Sequence, residues 1–166
     1  MDALYLIKIG EILLKLGNRK EFENRLREQL NRRFAAVGID RRVEIFPGRY
    51  FVLVPEEKAA LAEYVLSRTP GVNGYARAIK TEKTVDAVLA AALEVAAKRV
   101  AQGKRSFKAE SRRSDKSFPL GSFELSAEIG SKVLEAFPST RVDLNSPEFT
   151  IRAEIREKAY VYADPE

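Results

Sequence analysis

Residues 103–119 carry Lys104, Arg105, Lys108, Arg112, Arg113 and Lys116 against only Glu110 and Asp115. Guanidinium groups grip phosphate oxygens through paired N–H bonds, and lysine ammonium groups add mobile point charges, so this spacing suits the holding of a polyanion. Ser122 follows as the apparent cap of a helix, whose first amides are unpaired and carry a partial positive charge. Lys108, Arg112, Arg113, Lys116 and Ser122 therefore compose a candidate phosphate-binding corner. Phe118 lies within it, either to touch a ligand or to anchor the core. A smaller cluster, Lys15, Asn18 and Arg19, stands at the start of a long helical pattern. It reads equally as a second phosphate contact or as Asn18 capping that helix. On composition alone a solvated surface link explains the basic run as well as a binding site does.

Bond-making chemistry finds little material. The chain of 166 residues has no cysteine and no histidine, which removes persulfide and thiolate chemistry, imidazole bases and the usual zinc sites. Asp115, Glu124 and Asp143 have no metal-ligand spacing. Structural roles suit them: Asp115 holding a neighbouring arginine, Glu124 facing a helix dipole, Asp143 fixing a loop. No Ser-Gly-Gly or Walker-type glycine loop is present to cradle a nucleotide. The expectation is a chain that performs no chemistry and holds no cofactor or metal. Net charge is only +5, but it is unevenly spread, and distribution governs polyanion binding more than the total does. No apolar run approaches the roughly 20 residues of a membrane helix, and the N-terminus lacks a signal-peptide plan. A cytoplasmic location is expected.

The elements that must position these residues follow from periodicity. Residues 3–9 are apolar strand formers ending at Gly10. Phe22, Leu26, Leu30, Phe34 and Val37 mark one face of a helix over 19–37, stopped by Gly38. Residues 43–46 and 50–54 flank Pro47 and Gly48 as a hairpin. A helix over 56–67 turns Leu61, Val65 and Tyr64 inward, and 72–79 supplies a fourth strand. This order of strand, helix, two strands, helix and strand is that of a ferredoxin-like half. Thr84 caps the next helix, whose inward positions Val85, Val88, Leu89, Ala92, Leu93 and Ala96 lead to a stop at Gly103. A strand over 106–111 and a surface link over 112–121 precede a helix burying Leu125, Ile129 and Val133. Phe149, Ile151, Ala153 and Ile155 alternate with polar residues, and Glu157 and Lys158 turn that strand into another over 159–163. The fold class is α+β, with domains at 1–78 and 79–166. Residues 163–166 read as a linker or natural end.

Phe107, Lys108, Arg112, Arg113, Asp115, Lys116, Phe118, Pro119, Ser122, Glu124, Ile129 and Gly130, followed by Val142, Asp143, Leu144 and Pro147, resemble the THUMP domain of the tRNA 4-thiouridine synthetases, or tRNA sulfurtransferases. Lys8, Gly10, Glu11, Leu14, Lys15, Asn18, Arg19, Phe22 and Glu23 resemble the N-terminal ferredoxin-like domain of that family. Ile9 stands where an aromatic is common, and Leu16 with Gly17 alters the usual basic turn. The resemblance implies a platform that docks the acceptor stem of tRNA and its single-stranded 3′ end. It also implies a catalytic partner, an ATP-pyrophosphatase domain or subunit, which would use ATP to activate a tRNA uridine before sulfur transfer. The same chain could instead be a free-standing THUMP adaptor for another tRNA-modifying enzyme. Two further readings compete. An acylphosphatase-type enzyme would need its phosphate loop within 10–19, and a protein-interaction module would pair through exposed sheet edges, as a homodimer for instance.

Overall fold

The computed structural model describes residues 2–10, 17–46 and 49–164. The chain divides into two compact units, Met1–Arg77 and Ala78–Glu166.

In the first unit, β1 (Asp2–Ile9) pairs antiparallel with β3 (Arg49–Pro55), which also pairs with β2 (Glu44–Phe46). The strand order is β2-β3-β1-β4, where β4 is Val72–Thr81 and belongs to this unit as far as Arg77. The register sets Ala3, Tyr5 and Ile7 beside Val54, Val52 and Tyr50, and these alternate residues form the sheet's side of the core. Helix α1 (Arg19–Ala36) closes over them with Leu26, Leu30 and Phe34. Each such buried side chain contributes about 1.5 to 3 kcal/mol through removal from water. Gly38, at φ +80, ends α1. Its N–H donates to the Ala35 carbonyl (3.0 Å), and the Ile39 N–H donates to the Phe34 carbonyl (2.9 Å), which satisfies the last carbonyls of the helix.

Helix α2 (Ala59–Arg68) buries Ala62, Val65 and Leu66. Leu61 and Tyr64, expected inside, are 42% and 55% exposed. A 3-10 turn over Glu56–Lys58 delays the start of the helix and sets its phase, so the small Ala62 and the adjacent Val65–Leu66 pair face the sheet. Tyr64 instead lies under the Arg68 guanidinium, 4.0 Å from the ring centroid.

In the second unit, β8 (Ala159–Asp164) runs antiparallel to residues 78–81 of β4 and to β7 (Phe149–Ile155). Strand β5 (Ser106–Arg113) is parallel to β7, and the two-residue β6 (Arg141–Val142) is parallel to β5. Helices α3 (Val85–Ala101) and α4 (Ser122–Ala136) bury Val88, Ala92, Ala96, Leu125, Ile129 and Val133 against Phe107, Phe149, Ile151, Ile155 and Val161. Phe107 and Phe149, paired in register, stack with ring centroids 5.7 Å apart. Thr84 caps α3 as its sequence suggests, its Oγ1 accepting from the Ala87 N–H at 3.2 Å.

Candidate nucleic-acid interface

The basic corner is built differently from a simple surface link. β5 runs two residues further than expected, to Arg113, because its parallel pairing with β7 continues through Arg112↔Glu154 and Arg113↔Ile155. The Ser114 N–H extends this ladder by donating to the Ile155 carbonyl at 2.9 Å. Strand alternation then separates the two arginines. Arg113 turns inward and donates from Nη1 to the carbonyls of Lys116 (3.2 Å) and Phe118 (3.0 Å). Its guanidinium braces the turn. Arg112 lies on the opposite face and is exposed, as is Lys116, and neither has an ion-pair partner among the described residues.

Asp115 shapes the same turn. Its Oδ1 accepts from the Ser117 N–H (2.9 Å) and hydroxyl (2.6 Å), while Oδ2 lies 2.5 Å from Lys83 Nζ. The expected arginine partner is thus replaced by a lysine distant in sequence, since both nearby guanidiniums are directed elsewhere. The Lys83 contact, then the Ser117 bonds, hold the Asp115 carboxyl well below the usual carboxylate range. Phe118 is 4% exposed and belongs to the core of the second unit. Of its two readings the anchor is the one realised, because burial leaves no ring face for a ligand.

Ser122 is the first residue of α4 and not its cap. Gly121 occupies the cap position in extended conformation (φ −69, ψ 167) and its carbonyl accepts from the Leu125 N–H at 2.9 Å, with no side-chain cap hydrogen bond among the described residues. Glu124 reaches back towards this point, its Oε1 3.3 Å from where a Cβ on Gly121 would stand. Lys108 sits on the Arg112 face of β5, but its Nζ is 2.8 Å from Glu110 Oε1. Glu110 also pairs with Arg152, whose Nε lies 2.9 Å from Asp164 Oδ2. Lys108, followed by Arg152, keeps Glu110 ionised below its ordinary range. Such partly exposed pairs are weak and exchangeable, so Lys108 remains able to meet an anion.

Sequence reasoning missed a groove of about 710 Å³ between β5 and α4. Arg112 stands in its wall, Ala109 and Ser111 line it from β5, and Phe123, Leu134 and Leu144 line it from the other side. Phe123 is 87% exposed and Leu144 71%. The Ser126 hydroxyl donates to Ser111 Oγ at 2.9 Å between helix and strand. One signal was available: Phe123 is out of phase with the Leu125, Ile129 and Val133 stripe, so a large aromatic had to point outwards. The loop after β6 keeps the groove open. Asp143 Oδ1 accepts from the N–H groups of Asn145 and Ser146 (both 3.0 Å), a tight turn that ends pairing with β5 after two residues. These two amides, Ser146 first, hold the Asp143 carboxyl below its ordinary range.

In the first unit, Asn18 precedes α1 but its side chain makes no cap bond; its carbonyl accepts from the Phe22 N–H at 3.0 Å. Asn18 thus holds the cap position through its carbonyl alone, and the residue is exposed. Arg19 Nε donates to Glu23 Oε1 at 2.8 Å, and the Tyr50 hydroxyl donates to the same oxygen at 2.6 Å. Lys15 lies outside the described residues.

The THUMP domain family matches residues 82–164, and the ThiI ferredoxin-like domain matches residues 4–76. A probable tRNA sulfurtransferase of Treponema pallidum (strain Nichols) is 36% identical over 161 residues, covering 95% of this chain and 39% of that protein. One of Thermoanaerobacter pseudethanolicus is 35% identical over 163 residues, covering 98% and 42%. The chain thus spans about two-fifths of the length of these relatives. A crystal structure of a 4-thiouridine synthetase–RNA complex with bound ATP superposes at TM-score 0.82 and 25% identity, over 99% of this chain and 41% of that one. PH1313 of Pyrococcus horikoshii does so at TM-score 0.79 and 27% identity, over 98% and 54%.

Proposed function

Because the chain belongs to the THUMP domain family and carries a ThiI ferredoxin-like domain ahead of that region, we propose that it docks the acceptor stem and unpaired 3′ end of tRNA. Thiolation of the tRNA would be the work of an ATP-pyrophosphatase domain or subunit, and ATP binding would belong there, since this sequence has no nucleotide loop. The ferredoxin-like part is taken as 1–78 and the THUMP part as 79–166.

The observation that carries this reading is the corner at the end of β5. Arg112 and Lys116 are exposed beside the first turn of α4, and Arg113, Asp115 and Phe118 hold them there. A-form RNA hides its bases in a deep groove, so a protein holds it through phosphates and 2′-hydroxyls and keeps aromatic and amide contacts for unpaired ends. Arg112 and Lys116 suit the phosphates, with Lys108 in support. Asn18 and Arg19, with Lys15, are the second contact proposed, in the first unit.

Filter binding or mobility shift with whole tRNA and with tRNA lacking its 3′ end tests the site and the ligand class together. Affinity is expected to fall on removal of the 3′ end, and log affinity to fall by about 0.7 to 0.9 per phosphate contact as log salt rises. Replacement of both Arg112 and Arg113 by Ala should weaken many tRNAs alike. Unchanged affinity in that folded double variant would sink the assignment.

A further inference from the structure

Two ion pairs of the same i, i+4 spacing lie on α1 and are built differently. The side chains of Arg25 and Glu21 are 74% and 57% exposed and have no third partner among the described residues. Those of Arg19 and Glu23 are 52% and 15% exposed, and the Tyr50 hydroxyl donates at 2.6 Å to the same Glu23 Oε1 that accepts from Arg19. Tyr50 is fixed from the other side. It pairs in register with Ile7 of β1 and Ile45 of β2, and its ring is buried in the core of the first unit. Glu23 is thereby tied to the sheet and not only to its own helix. The Tyr50 oxygen also stabilises the charged guanidinium, after Glu23. Arg19 opens α1, where the helix dipole favours an anion, and an arginine four residues before a glutamate is the weaker order for such a pair. Helix stability therefore does not account for a cation braced at this place. An anion from outside the chain does.

We propose that Tyr50, acting through Glu23, is a positioning residue that aims Arg19 at a phosphate of the RNA backbone. The inference rests on the RNA-docking reading above and adds which contacts make Arg19 effective. Glu23 takes the Nε–H of Arg19, which sets the plane of the guanidinium, and the half-exposed group keeps N–H donors for phosphate oxygens. Holding this long side chain in place before binding removes part of the entropy cost of ordering it on RNA. A lysine would supply the charge without the planar fork that Glu23 orients. An acidic protein surface is the competing ligand, since its carboxylates suit the same fork. RNA is favoured because this chain also presents Arg112 and Lys116 exposed and without acidic partners among the described residues.

Salt titrations of tRNA binding, each with a melt to confirm folding, test the proposal. Arg19→Ala should lower the slope of log affinity against log salt by about 0.7 to 0.9, the share of one phosphate. Tyr50→Phe changes no charge and keeps the ring in the core. It should weaken tRNA by about 2- to 10-fold, the order expected when one long side chain has to be ordered on binding, and should keep the wild-type slope. Arg19→Lys should behave in the same way. Added to Arg19→Ala, Tyr50→Phe should weaken binding no further, because its effect passes through the guanidinium. A tyrosine with a merely structural role would weaken tRNA equally with and without Arg19, and that result overturns the proposal, as does wild-type affinity in folded Tyr50→Phe. Unchanged binding in Arg19→Ala beside a loss in Arg112→Ala also overturns it, leaving RNA docking in place and an acidic protein surface as the ligand of Arg19. If neither arginine variant responds, the docking reading itself fails instead.

Discussion

Arg112 and Arg113 are chemically identical neighbours with different work. Arg112 is exposed, whereas the Arg113 guanidinium donates to the carbonyls of Lys116 and Phe118. Arg112→Ala is expected to leave thermal stability unchanged and to lower the salt slope of RNA binding by about one phosphate, 0.7 to 0.9. Arg113→Ala should lower stability by about 1 to 2 kcal/mol as the turn loses two charged hydrogen bonds. Its RNA affinity should fall without the slope losing a full phosphate. A melt and a salt titration on each variant check both expectations, and identical behaviour of the two would contradict the division. The run of cations was legible because its members are contiguous in sequence. Which arginine faces solvent was not, because that depends on how far β5 continues against β7, 42 residues away in the chain. The Lys83–Asp115 contact escaped for the same reason.

At the scale of elements, strands and helices were readable wherever one face is apolar and a stop residue follows. Leu26, Leu30 and Phe34 lead to Gly38, and the α3 stripe leads to Gly103, whose φ of +90 ends that helix as +80 at Gly38 ends α1. Phase errors arose where the apolar stripe is thin: in α2 a buried Ala62 outweighs the larger Leu61 and Tyr64, which only packing against the sheet decides. The caps give a direct test. Thr84 accepts from Ala87, whereas Ser122 follows the capping Gly121 and caps nothing. Thr84→Ala should cost about 1 kcal/mol, and Ser122→Ala should stay within about 0.5 kcal/mol, as surface substitutions do. Thermal or denaturant unfolding of the pair measures the contrast, and a larger loss at Ser122 would refute the placement.

For the whole molecule, stability should fail at both ends of the pH range. Burial first, then the bond to Glu23, pushes the Tyr50 hydroxyl up to about 12, and burial with Glu63 raises Tyr5 likewise. A raised tyrosine contributes stability that is complete below its unfolded pKa of about 10 and is lost as pH climbs through the folded value. Unfolding midpoints with tyrosinate absorbance should show the loss above about pH 10, and Tyr50→Phe should reduce it. Asp115, Asp143 and Glu148 are depressed, by Lys83, by the Ser146 amide and by the Arg105 amide respectively. Their contributions are present above about pH 4 and disappear as pH falls through the lower folded values. The unpaired stretch of β5 bears on colloidal behaviour as well. If two copies paired there antiparallel about Glu110, Lys108 of each would face Arg112 of the other, and the two Glu110 residues would face one another. Like charges set directly opposite across a strand pair repel. In that register the edge resists fibre-like self-association in crowded solution.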